Sequence, residues 1–209
     1  MNDSTSRFPG KSILAVCLLA LLNFGCMSSA SPGESFLRLE FNGIHQCSLA
    51  DDAKDIKPIA IRNIDCLPNL DRTAVMFSEN NVLQPSQAWY WEGAPSEIVT
   101  QYLVTGLTCS KAFRVVWPYK PRIAHEAVLS GRVEAFEVSR TPSLAFRVVI
   151  YMDVWGPTAK EWISGRSFTA EIPMSTITAD NIAKAANKAL DKVLADTLTW
   201  LDNKVAIAE

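Results

Sequence analysis

Histidine is nearly missing from this chain of 209 residues: His45 and His125 are the only two, and neither stands at ligand spacing from an acid or a cysteine. The commonest metal-site patterns are therefore excluded. Only nine glycines are present, with no G-x-S-x-G, no phosphate-cradling loop and no dinucleotide fingerprint among them. Those signatures need glycine for close backbone approach, so the matching enzyme classes lose their support. Acids are plentiful but scattered, and no catalytic pair is readable from spacing; the expectation is a protein that is not an enzyme and holds no cofactor. A dominant charge is missing too, since 20 Lys and Arg face 22 Asp and Glu. Nothing in that balance holds nucleic acid, and no basic run holds an anionic membrane.

Long apolar runs are scarce as well. Residues 12–25 form a nearly unbroken run of 14, behind Arg7 and Lys11 set against Asp3. A spanning helix needs about 20 such residues, so the run reads as the core of a signal peptide over 1–25. Cys26 follows at once, and residues 28–33 are rich in Ser, Pro and Gly, which makes 26–35 a flexible linker before a single domain over 36–209. With 48% hydrophobic residues, that domain has material for a real core. Cys17 lies in the signal, leaving Cys47, Cys66 and Cys109 in the body beyond Cys26. Three cysteines allow one bridge at most. Cys47 and Cys66 flank the polar stretch DDAKD, and a bridge there would close a loop of about 20 residues worth roughly 3 kcal/mol. Three ordinary buried thiols are the alternative, and both stay open.

Periodicity organises the rest. FLRLEF (36–41) alternates as a half-buried strand; IKPIAIRNID gives a second, with Pro58 setting its start at a sheet edge; TAVMF gives a third. ENNVLQPS reads as a turn before the aromatic strand QAWYWEG. Pro95 suits the first position of a helix reaching about Cys109, whose Ile98, Val99, Tyr102, Leu103 and Leu107 share a face. FRVVW is a strand, and HEAVLSGRVEAFEVSR, SLAFRVVIYMDVWG and WISGRSFTAEIPM read as an antiparallel meander. The clearest element is a helix from Ala179 to about Asn203, capped by Thr178 and favoured by Asp180 in its first turn, with a wide Ala-rich apolar stripe. Two helices and seven or eight strands without continuous βαβ alternation predict an α+β fold, a two-layer arrangement of a mainly antiparallel or mixed sheet with both helices on one face.

Two clusters stand out. In Trp89-Tyr90-Trp91, strand alternation puts both tryptophans on one face and Tyr90 on the other. Trp89 and Trp91 are the candidate partner-binding residues; the competing expectation is that they form the floor under the Pro95 helix. In LPNLDR, the leucines suit burial while Asp71 and Arg72 suit pairing or capping.

The stretch LPNLDRTAVMFSENNVLQPSQAWYWEGAPSEIVTQYLVTGL, followed by LSGRVEAFEV and a closing helix ending TLTWL, resembles the ABC-type transport auxiliary lipoproteins, the PqiC-like periplasmic group. The order of elements, from about 36 to 201, carries the resemblance. It implies lipid attachment at Cys26, where Gly25 and Cys26 match the end of a lipobox whose preceding positions hold Asn23 and Phe24. Met27, rather than Asp, after that cysteine implies sorting to the outer membrane of a Gram-negative envelope, with the domain in the periplasm. It further implies an auxiliary role beside an ABC permease and ATPase complex and its substrate-channelling subunit, moving lipid or other hydrophobic cargo, and leaves a homo-oligomer open. Without Arg7, Lys11 and Asp3 the mature chain keeps 18 basic and 21 acidic residues, which suits a partner-binding module better than a polybasic tether. The alternative from another class is a stand-alone envelope lipoprotein that stabilises an assembly or binds a ligand without a transporter.

Overall fold

The computed structural model describes residues 33–41, 47 and 56–205. The signal run, Cys26, the linker to Pro32, His45 and the DDAKD stretch lie outside the described residues. From Glu34 onward the chain is one compact unit.

Its centre is β7 (Ala127–Ser139), which pairs antiparallel with β8 (Ala145–Trp155) along one side, and β8 with β9 (Trp162–Pro173) beyond it. The expected meander forms. Along the other side of β7 lie β2 (Lys57–Ile61), β3 (Asp65–Cys66) and β4 (Ala74–Glu79), one after another and all parallel to it. Outside β2 runs β6 (Phe113–Val116), parallel; outside β4 runs β5 (Val82–Trp91), antiparallel; outside β5 lies β1 (Ser35–Leu37), parallel. This mixed sheet of nine strands carries α1 (Pro95–Ser110) and α2 (Ala179–Val205), which touch each other over β6 to β9 and bear out the α+β expectation.

Strict alternation explains how the face is filled. Phe146, Val148, Ile150, Met152 and Val154 of β8 are buried at every second position, while α2 lays Ile182, Ala186, Ala189, Leu190, Val193 and Leu201 into the same core. Small alanines let that helix sit close. Thr178 Oγ1 accepts the Asn181 N–H at 3.3 Å, the cap the sequence predicts, and Lys184 with Asp180 and Lys192 with Asp196 form i,i+4 pairs on its exposed side. The two helices meet at Gly106, where an added Cβ would stand 2.2 Å from Leu194 Cδ2. In most helices Gly→Ala gains about 1 kcal/mol of propensity. Here Leu194 is buried and has nowhere to retreat, so Gly106→Ala is expected to cost about 1–3 kcal/mol in urea denaturation. Adding Leu194→Ala should cost less in that background than it does alone, because the two side chains share the space.

Three expectations are corrected. The turn between β4 and β5 is only Asn80-Asn81, both left-handed (φ 49° and 66°), and β5 begins at Val82 and runs through Pro85. Proline is tolerated because β1 covers only Trp89 to Trp91 of that strand, leaving the outer edge open at Pro85. Pro58 does not mark an edge strand, since β2 lies between β6 and β7; it stands one residue before the first β7 pair, at Ile59, and its carbonyl accepts the Glu126 N–H at 2.8 Å. The stretch IKPIAIRNID is not one strand either: it breaks after Ile61 because the Ile64 N–H is taken by Thr100 Oγ1 at 2.9 Å.

Candidate functional site around the first helix

The first helix starts without a capping side chain of its own, since Ala94 occupies the cap position and offers no acceptor. Glu97 reaches back to accept the Ala94 N–H at 3.2 Å, and Asp71, from the LPNLDR stretch, accepts the Ser96 N–H at 3.3 Å. Capping is thus the role that Asp71 takes, delivered from another segment, and Leu70 is buried beside it. Asp71→Ala is expected to lower stability by about 1 kcal/mol, and Asp71→Asn, which keeps an acceptor, by a smaller amount; thermal melts compare the two. One turn on, Thr100 is buried, donates to the Ser96 carbonyl at 2.7 Å and accepts the Ile64 N–H. These bonds fix the β2–β3 connection against α1.

Two clefts open on the flanks of α1 and share Glu97 and Gln101. One, about 300 Å³, is lined by Leu39, Phe41, Ile98 and Tyr102, with Glu92 on its rim. The other, about 450 Å³, is lined by Asn63, Ile64, Ser96, Thr100 and Trp117. The floor of the first is held by Tyr102, which packs edge-on against Phe41 at 5.3 Å and donates its hydroxyl to Asp191 of α2. Burial, then donation to that carboxylate, pushes the Tyr102 phenol up, so it stays neutral and ties the helices together. Neither cleft brings together a nucleophile, a base and an orienting acid, and no group of His, Cys, Asp and Glu fit to hold a metal occurs among the described residues. Both arrangements suit recognition of a surface or small ligand.

The predicted site residues separate. Trp91 is fully buried, edge-on to Phe136 at 5.1 Å and to Phe146 at 5.8 Å. It belongs to the core between β5, β7 and β8 and is no partner surface, a correction to half of the aromatic-face expectation. Trp89 is half-buried on Phe77 at 6.0 Å, and Tyr90 faces the other way, against Phe36 at 5.8 Å. The alternation held, and Trp91 takes a core place in the same cluster as Val99, Leu103 and Leu107 of α1, with its ring neighbours supplied by strands. Cys47 is bridged to Cys109 in the last turn of α1, with Cα atoms 4.8 Å apart, and Cys66 is the free thiol among the described residues. A Cys47–Cys66 bridge is therefore overturned: Cys66 is held in β3 against β7. Burial first, and the Asp71 charge second, push the Cys66 thiol up to about 12, which leaves it a poor nucleophile. His125 spends Nδ1 on the Ile123 carbonyl at 2.6 Å and packs on Tyr119. The sequence reading missed Trp117, Asn63 and Gln101 as lining residues. The exposed proline-flanked stretch WPYKP was the available signal for Trp117, whereas the other two are ordinary polar surface residues.

With this geometry in place, comparison with known proteins adds a family and a fold. A family model described as the ABC-type transport auxiliary lipoprotein component matches residues 48–197. No curated protein matches the chain. The crystal structure of a Xanthomonas campestris protein of family DUF330 superposes with a TM-score of 0.65 at 14% identity, covering 83% of this chain and 94% of that one. An uncharacterized protein gives 0.65 at 12% identity over 81% and 99%, and a hypothetical protein from Chlamydia trachomatis gives 0.50 at 8% over 72% and 98%. At such identities these likenesses speak for the fold alone.

Proposed function

The chain belongs to the family of ABC-type transport auxiliary lipoprotein components, and from that premise we propose that it is an outer-membrane lipoprotein facing the periplasm, a non-catalytic subunit of a system moving lipids or other hydrophobic substrates between the envelope membranes. The observation that carries this reading is the family match over 48–197 in a chain whose early apolar run ends at Gly25-Cys26. Its mechanism is positional. Acyl chains on Cys26 hold the domain, since each buried CH₂ contributes about 0.8 kcal/mol and several chains together bind for good. Met27, in place of an aspartate, supports release to the outer membrane. Residues 28–33 supply reach, and a face of the domain docks the permease and ATPase complex through its substrate-channelling subunit.

Metabolic labelling with palmitate tests the anchor. Label is expected in the wild-type protein and absent from Cys26→Ala, with the variant released from membranes. Equal labelling of both forms would sink the lipoprotein reading.

A further inference from the structure

Residues 111–125 carry Lys111, Arg114, Lys120 and Arg122 without a single Asp or Glu, in a mature chain where 21 acids outnumber 18 bases. In the fold this window runs from the end of α1 through β6 and into the loop before β7. All four cations are exposed, and no described carboxylate pairs with any of them. The loop also bears Trp117, 39% exposed, and Ile123, 44% exposed.

These apolar side chains stand outside because the inward positions of the loop are already filled. The Tyr119 N–H donates to the Ile61 carbonyl at 3.0 Å, and its ring lies under the Arg62 guanidinium at 4.9 Å and edge-on to His125. The Ile123 N–H donates to the Lys120 carbonyl at 3.1 Å, closing a turn with Pro121 and Arg122 at its tip. The loop is thereby held in shape. An exposed tryptophan and arginine on a braced loop lose little freedom on binding, which is what places such residues at interface hot spots.

Chain direction separates this loop from the approach to β1. β1 runs parallel to β5, which leads away from the β4–β5 hairpin, so the chain enters Ser35 from the hairpin end. The hairpin lies at the Ser139 end of β7, whereas the loop feeds the Ala127 end. The described chain thus comes to β1 from the side of the sheet opposite the end that the loop feeds. A second copy brings a net acidic surface but also the same cations.

We propose that Trp117, Lys120, Arg122 and Ile123 form the docking surface for an acidic, apolar-bearing face of a periplasmic subunit of the transporter, a proposal that rests on the transport-auxiliary reading above. The test uses the full-length lipoprotein in cells, with a photocrosslinking residue in place of Trp117, together with co-purification of the wild-type protein and of Lys120→Glu/Arg122→Glu. Both reversed positions are exposed, so the melting temperature should stay unchanged. The expected result is a crosslink from position 117 to a transporter subunit, and a loss of about tenfold or more in recovery of that subunit on charge reversal. Undiminished recovery by the reversed protein overturns this surface and leaves the transport role standing. Recovery of no transporter subunit by wild-type protein overturns the role and this surface with it. A crosslink to phospholipid or to a second copy of the chain overturns the choice of partner.

Discussion

Cys109→Ser is expected to lower stability by about 4 kcal/mol, the chain-entropy value for a bridge spanning 62 residues. Urea denaturation with and without a reductant measures it: reductant should destabilise the wild-type protein by a similar amount and leave Cys109→Ser unmoved. Size alone does not identify the pairing, because a Cys47–Cys66 loop would be worth only about 1 kcal/mol less. The discriminating variant is Cys66→Ser. It should stay within about 1 kcal/mol of wild type, since it swaps one half-buried sulfur for a hydroxyl, and it should keep its response to reductant. A fall in Cys66→Ser as large as that in Cys109→Ser, with the reductant response lost, would contradict the observed bridge.

Trp91→Ala is expected to cost about 3–5 kcal/mol, the range for removing a fully buried large aromatic. The indole is wedged against Phe136 and Phe146, which also meet each other at 5.2 Å, so its loss opens a cavity among rings that cannot all move in. Trp91→Phe should cost clearly less. It keeps a ring in place and removes an indole N–H that has no hydrogen-bond partner in its buried site. Trp89→Ala, by contrast, trims a half-buried ring and should cost about 1–2 kcal/mol. If Trp91 were a docking residue, its alanine variant would melt like the wild type and lose only a partner.

These contrasts show where sequence patterns carry information and where they stop. Period-2 alternation located β7, β8 and β9, and the 3.6 period located both helices, because a long element with one buried face must repeat its chemistry. Parity also put Trp89 and Trp91 on one side of β5. Which side is buried depends on Phe136 and Phe146, 45 and 55 residues beyond Trp91 in the chain, and no local pattern encodes that. Pro85 looked like punctuation because proline is usually excluded from strands, and only the open outer edge of β5 makes it acceptable. Nearness along the chain favoured Cys66 as the partner of Cys47, while the fold brings the last turn of α1 there instead. Asp71 was legible as a capping residue, although the helix it caps begins 24 residues later.

The serial docking of β2, β3 and β4 along a single flank of β7 sets an order of events for a chain that emerges from its N-terminus. Ile59 waits for Ala127, 68 positions on, and Met76 for Glu137, 61 positions on. β7, β8 and β9 need no such wait, since Ser139 pairs with Ala145 just past a short turn. Pairings that close long loops form slowly, and local ones form fast. The C-terminal meander is therefore the template on which the earlier half assembles, and until β7 is complete β2, β3 and β4 lack the flank they share. Through that interval the β4–β5 hairpin and the β2–β6 pair are the ladders open to the N-terminal half.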